Sequence, residues 1–214
     1  MTLATLRNNL KSRLAVVDDS TFYDDATLKT ILNAAQIKLG AFRSWEFLLQ
    51  GRTVNGGSVK DKNNYLLPAN YLYGSAIWLE VDGAENDYSY VSFPQFRNNS
   101  FSFDKAFTIR GKEVVITPTP TKDGLEIHFW YIATPTPFII DSSVSDFPDN
   151  FEEVLLLFAQ SIAAQRSGDL TKSVNFQKLA EIEAKSLYKQ VKRLVRGAKR
   201  GSDIMEAYVG KYLR

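Results

Sequence analysis

Helical patterning at both ends of the chain and β patterning between them predict an α+β fold. The expected architecture is a helical bundle body with a central antiparallel β insertion and a C-terminal extension, the body being made of N-terminal helices and a C-terminal αα-hairpin. Three observations carry this. Apolar residues recur at helical spacing before residue 48 and after residue 146, short β-rich runs separated by turn signals fill the middle, and the stretch 146–169 reads as a helix with both ends marked. The boundaries expected are 1–47 for the N-terminal helices, 48–145 for the β-rich insertion, 146–197 for the helical hairpin and 198–214 for the extension.

At the N-terminus Leu3, Leu6, Leu10 and Leu14 share one helical face. After a break at 17–23, the stripe Leu28, Ile31, Leu32, Ala35, Leu39, Phe42 marks a longer amphipathic helix, with Asp24 or Asp25 able to cap it. From about Leu48 the turn signals are Asn55-Gly56-Gly57, Asp82-Gly83, Arg110-Gly111-Lys112 and Lys122-Asp123-Gly124. They divide the region into antiparallel hairpins, the best of them Ala106–Ile109 with Glu113–Thr117, followed by Leu125–Ala133. In that last run Leu125, Ile127, Phe129 and Tyr131 alternate onto one face and Glu126, His128 and Trp130 onto the other. The Thr-Pro-Thr-Pro segments at 117–120 and 134–137 read as stiff extended strand ends, because Pro cannot donate to a ladder.

Near Asp146 the helical pattern returns. Asp149 and Glu152 have capping-box spacing, and Pro148 suits the preceding turn. Val154, Leu155, Leu156, Leu157, Phe158 and Ala159 cover every side of the next helix, which predicts one surrounded by protein. Gly168 can end it in the left-handed conformation and Asp169 can cap the following helix. That second arm sets Phe176, Ala180, Ala184, Leu187, Val191 and Leu194 opposite Lys178, Glu181, Lys185, Lys189 and Lys192. Gly197 and Gly201 close it.

Composition narrows the function. With 44% hydrophobic residues and 13% aromatics, 214 residues are ample for a packed core. The absence of cysteine excludes thiol catalysis, disulfide scaffolding and cysteine zinc sites, and fits assembly in a reducing cytosol. Arg7, Lys11 and Arg13 interrupt the N-terminus and the longest strongly apolar run is Val154–Ala159, so neither a cleavable signal nor a membrane span is expected. Residues 185–214 hold nine Lys/Arg against Asp203 and Glu206, a net +7; the remaining seventeen basic and twenty-two acidic residues give −5. Such a split points to a C-terminal segment that meets a polyanion or an acidic protein surface.

Chemistry is sparse. His128 is the sole histidine, so a histidine metal cluster is impossible and a Ser-His-Asp triad would have to use it; its place in an alternating strand favours a structural role. The carboxylates Asp141, Asp146, Asp149, Glu152 and Glu153 offer an acid/base pair, but helix capping and a solvated loop account for the same residues and are the preferred reading. No phosphate loop, dinucleotide fingerprint or calcium loop is present, and neither a cofactor nor a metal is expected. Lys189, Lys192, Arg193, Arg196, Lys199 and Arg200 read either as a DNA-contacting face or as a solvated one. Tyr88, Tyr90, Phe93, Phe96, Phe101 and Phe103 lie in a loop-like stretch suited to an oligomer interface or a local core, with a stacking platform as the alternative.

Three segments in order resemble the head-to-tail connector (adaptor, or head-completion) proteins of tailed bacteriophages. They are Tyr65-Leu-Leu-Pro68-Ala-Asn-Tyr71-Leu72, Ile109-Arg-Gly111-Lys-Glu-Val-Val-Ile116-Thr-Pro118-Thr-Pro120 and Phe147-Pro148-Asp-Asn-Phe151-Glu-Glu-Val-Leu155 leading into Ala159 and Ala163. A small-residue helix, a short turn and a long basic helix follow, so the resemblance covers about residues 25–200. Asn70 stands where the pattern has aspartate. The resemblance implies a structural, non-enzymatic virion protein: a twelve-fold homo-oligomeric ring at the neck, beneath the portal protein, assembled in the host cytoplasm. Such a ring extends the channel through which packaged DNA passes and supports tail or nozzle proteins. It also implies a portal-docking arm, for which the tail supplies Arg196, Lys199, Arg200 and Arg214 as charges and Ile204, Met205, Tyr208, Tyr212 and Leu213 as anchors. The alternative is a DNA-binding or packaging accessory protein using the basic helix.

Overall fold

A computed structural model describes residues 1–14, 23–72, 74, 77–82 and 87–197. Among these are five helices, α1 (Leu3–Leu14), α2 (Asp25–Phe42), α3 (Phe93–Arg97), α4 (Glu152–Arg166) and α5 (Leu170–Gly197). Seven strands accompany them: β1 (Leu49–Thr53), β2 (Asn64–Leu66), β3 (Ile77–Val81), β4 (Asp87–Tyr90), β5 (Ala106–Arg110), β6 (Glu113–Thr117) and β7 (Ile127–Ile132). The chain divides into two compact units. One comprises the described residues of Met1–Leu48 and Pro135–Arg214, and the other those of Leu49–Thr134. The fold is thus mixed α+β.

In the helical unit the predicted faces are the buried ones. Leu3, Leu6 and Leu10 of α1 and Leu28, Ile31, Leu32, Ala35 and Leu39 of α2 are buried, and Asp24 caps α2 by accepting from the Thr27 amide at 2.7 Å. On α4, Val154, Leu155, Leu156, Phe158 and Ala159 are buried, with α1, α2 and α5 all packing against it. Each large side chain so enclosed contributes roughly 1.5–3 kcal/mol. Gly168 has φ +84 and Asp169 accepts from the Lys172 amide at 3.0 Å, so the chain turns from α4 into α5 as its residues predict. Trp45 is fully buried, donates to the Leu39 carbonyl at 2.7 Å and meets Phe151 and Tyr188 edge-on at 5.1 and 5.5 Å.

The start of α4 departs from expectation. Asp149 and Glu152 form no capping box: residues Asp149–Phe151 make a 3-10 turn, and no side chain caps the helix. Both carboxylates are drawn to α1 and its approach. Asp149 pairs with the Met1 amine at 2.6 Å, and Glu152 accepts from the Asn9 amide.

The middle is larger and differently ordered than an insertion of antiparallel hairpins. It is one sheet in the order β1-β7-β3-β4-β5-β6-β2, with β4 and β5 parallel and every other pair antiparallel. The β5–β6 hairpin is as predicted, Arg110 pairing with Glu113 across Gly111-Lys112, with φ +61 at the glycine. β7, however, pairs with β1 and β3 and not with β6. The reason lies in the 122–125 turn, whose backbone is satisfied by the 57–61 loop. Ser58 Oγ donates to the Lys122 carbonyl at 2.7 Å and accepts from the Leu125 amide at 3.0 Å, while its own amide donates to the Leu125 carbonyl at 2.7 Å. The alternation in β7 holds: Ile127, Phe129 and Tyr131 join a core with Leu79, Phe107 and Ile116, leaving His128 and Trp130 on the other face. The parallel step from β4 to β5 runs through α3, where a loop was expected. Ser92 and Gln95 form a capping box there, with Pro94 in the first turn.

Candidate functional site

Of the arm residues, Arg196 sits in the last turn of α5, and only its backbone is described. Lys199, Arg200, Ile204, Met205, Tyr208, Tyr212, Leu213 and Arg214 lie outside the described residues. Upstream, α5 buries Ala180, Ala184 and Leu187 and exposes Lys178, Lys185 and Lys189. Its outer face also carries the apolar side chains of Leu170, Val174, Leu179 and Ile182, each more than half exposed, which the sequence reading did not single out.

The five carboxylates of 141–153 are brought into structural contacts. Asp141 receives both guanidinium nitrogens of Arg7 at 3.0 and 3.1 Å, and Asp146 accepts from the Thr136 amide at 2.6 Å. Glu153 receives both nitrogens of Arg13. With Asp149 and Glu152, Asp141 and Glu153 tie the 141–153 stretch to α1 and Met1, while Asp146 braces the 135–146 segment internally. The Arg13 hydrogen bond holds the Glu153 carboxyl below the usual carboxylate range, with the guanidinium's charge acting in the same direction and burial opposing it. A general acid requires the opposite shift.

The sheet face opposite the β core holds a different constellation. Cross-strand register places Trp78 of β3, Trp130 of β7 and Gly51 of β1 in one row, and Glu80, His128 and Thr53 in the next. Trp130 donates its indole N–H to Glu80 Oε1 at 3.0 Å, and His128 Nδ1 lies 2.9 Å from Thr53 Oγ1. The imidazole rests on Trp130 with ring centroids 4.5 Å apart. A Cβ on Gly51 would lie 2.8 Å from His128 Nε2 and 2.9 Å from Trp130, so the absent side chain is what admits both rings. Glu80, Glu126, His128 and Trp130 line a hollow of about 130 Å³. Thr53 occupies the place an orienting carboxylate would hold in a triad, and Nε2 is buried against β1 without a partner. Nucleophile activation by His128 therefore has no geometry here. Among the described residues no group of His, Cys, Asp or Glu has metal-binding geometry. Glu126, His128 and Trp130 were legible as one face of a strand, whereas Glu80, Thr53 and Gly51 join them through register alone.

A family model described as SU10 adaptor protein matches residues 1–202. The chain belongs to this family of phage adaptor proteins. A search of curated proteins finds no match. As an SU10-family adaptor it is a structural component of the virion that associates with other phage head and tail proteins. Among the described residues no helix is long and apolar enough to cross a membrane. Asn70, the departure from the adaptor pattern, accepts from the Tyr131 hydroxyl at 2.8 Å and donates to Gln50 Oε1 at 2.8 Å. An aspartate has no N–H for the second contact.

Proposed function

We propose that this adaptor forms a twelve-membered ring beneath the portal, extends the DNA channel and presents a platform to the tail or nozzle proteins. The observation that carries the reading is the family match over residues 1–202, in a chain whose last thirty residues, 185–214, from the C-terminal half of α5 onward, carry a net +7. In this reading the chain follows the domain order given by its sequence, 1–47, 48–145, 146–197 and 198–214, and the last part docks on the portal. Lys199 and Arg200 steer the segment to an acidic surface, Arg196 and Arg214 belong to the same arm, and Ile204, Met205, Tyr208, Tyr212 and Leu213 supply the buried anchors. Aromatic anchors outweigh rim charges at interface cores, so Tyr208→Ala or Tyr212→Ala costs about 2 kcal/mol of binding and Lys199→Ala mainly slows association. The purified chain stays monomeric or forms a small oligomer and closes into the ring on the portal template.

Deleting residues 202–214 tests the arm. The truncated protein is expected to fold and melt as the full chain does, yet to be lost from portal-bearing heads on sedimentation. Retention at wild-type occupancy would remove the docking assignment. Electron microscopy of the particle decides the neck position, and DNA affinity across a salt series separates this reading from a phosphate-binding accessory protein, whose affinity falls steeply with salt.

A further inference from the structure

The hollow bounded by Glu80, Glu126, His128 and Trp130 combines two carboxylates with an aromatic wall. We propose that it is a docking pocket for an arginine side chain presented by a partner protein in the assembled particle. Among the described residues neither carboxylate forms an ion pair: Glu80 holds the Trp130 indole N–H and Glu126 meets Thr53 Oγ1 at 3.5 Å. Each keeps acceptor capacity after its one contact. Two negative charges repel a phosphate or another carboxylate, so the occupant is a cation.

A metal ion does not suit the site, because His128 Nδ1 faces Thr53 and Nε2 is covered by the backbone of Gly51. What remains is an organic cation able to lie on an aromatic face while donating to carboxylates. The planar guanidinium does both: it stacks on indole and its fork of N–H groups matches a carboxylate. The surroundings favour a protein source. Trp78, half exposed, is the cross-strand neighbour of Trp130, and tryptophan beside an arginine pocket is the composition of an interface hot spot. Adaptor-family membership supplies protein neighbours in the virion. The pocket is independent of the C-terminal arm, and its test needs neither portal nor particle.

The test is a titration of the full chain labelled with 15N at tryptophan. Its three indole N–H resonances belong to Trp45, Trp78 and Trp130. Trp45, fully buried in the helical unit, is the internal control. Acetyl-Gly-Arg-Gly-amide is expected to move the Trp130 resonance saturably and leave Trp45 in place, and the citrulline counterpart to move neither. The double variant Glu80→Gln, Glu126→Gln preserves an acceptor for the Trp130 N–H, so the sheet is retained; it is expected to bind the arginine peptide about tenfold more weakly or worse. Unchanged affinity in that variant, or no saturable shift in the wild type, would overturn the proposal. Tighter binding by spermidine than by the arginine peptide would make this a site for free polyamines and not a docking pocket. Movement of the same resonances on concentrating the protein alone would place a second copy there and exclude the partner assignment.

Discussion

Two glycines side by side separate backbone strain from steric exclusion. Gly56 and Gly57 both have positive φ, +80 and +65, but a Cβ at Gly56 would meet open space while one at Gly57 would lie 2.6 Å from the Leu125 carbonyl oxygen. Gly56→Ala is therefore expected to cost only the left-handed conformation, about 1–2 kcal/mol. Gly57→Ala adds displacement of the backbone that holds the 122–125 turn, and urea denaturation should show clearly the greater loss. Glu153 gives a prediction in pH. Its pKa is lowered in the folded state by the Arg13 hydrogen bond, so the pair's contribution is present above the unfolded carboxylate value, about 4.3, and is lost as pH falls through the lower folded value. Both side chains are partly exposed, which limits the contribution to about 1 kcal/mol or less. Glu153→Gln should lower the melting temperature at neutral pH, and the difference from wild type should vanish as the buffer is taken below pH ~3, the acid end of the carboxylate range. A constant difference would show that packing, and not the ion pair, is responsible.

At the scale of elements, what could be read from sequence is what neighbouring residues determine. The stripes of α1 and α2, the all-round apolar run of α4, the Gly168–Asp169 turn and the Gly111 hairpin each follow from local spacing or from one backbone conformation. Where two local explanations competed, tertiary contacts decided: Asp149 and Glu152 have capping spacing, yet turn to Met1 and Asn9. Strand partnership was the least legible. The Lys122-Asp123-Gly124 signal is a real turn, but Ser58, more than sixty residues earlier, takes its hydrogen bonds and frees β7 to pair with β1 and β3. The arginine pocket was hidden for the same reason, since Glu80 and Gly51 reach His128 and Trp130 only through that pairing. Ser58 thus has a measurable place in the topology. It is buried, and Ser58→Ala leaves the Leu125 amide and the Lys122 carbonyl without their side-chain partner, an expected loss of about 1–3 kcal/mol. Because the 57–61 loop and β7 belong to one hydrogen-bonded system, faster amide exchange should extend from Leu125 into β7, leaving the β5–β6 hairpin protected.

For the molecule as a whole, the two units make the chain separable by a physical criterion. The core of the sheet is formed by residues between Val54 and Ala133, and its chain ends lie together, because Leu49 of β1 is the register partner of Ile132 in β7. The break at the other side is equally short. A Cβ placed at Gly40 of α2 would lie 3.1 Å from the Pro135 ring and 3.5 Å from the Leu48 side chain, so the two points where the helical unit releases and recovers the chain are neighbours. Domains whose ends are close tolerate excision. Residues 49–134 produced alone are expected to give a dispersed amide spectrum and a cooperative unfolding transition. The remaining chain, with Leu48 joined to Pro135 by a short Gly-Ser linker, is expected to keep the helical circular-dichroism signature and the buried Trp45 fluorescence of the full protein. Were the sheet fragment to aggregate while the linked helical unit folded, the sheet would depend on the rest of the chain for its stability despite a self-contained core. If both fold, adaptor function can be assigned unit by unit, with the arginine pocket tested on the sheet alone and head retention on the linked helical unit that keeps the C-terminal segment.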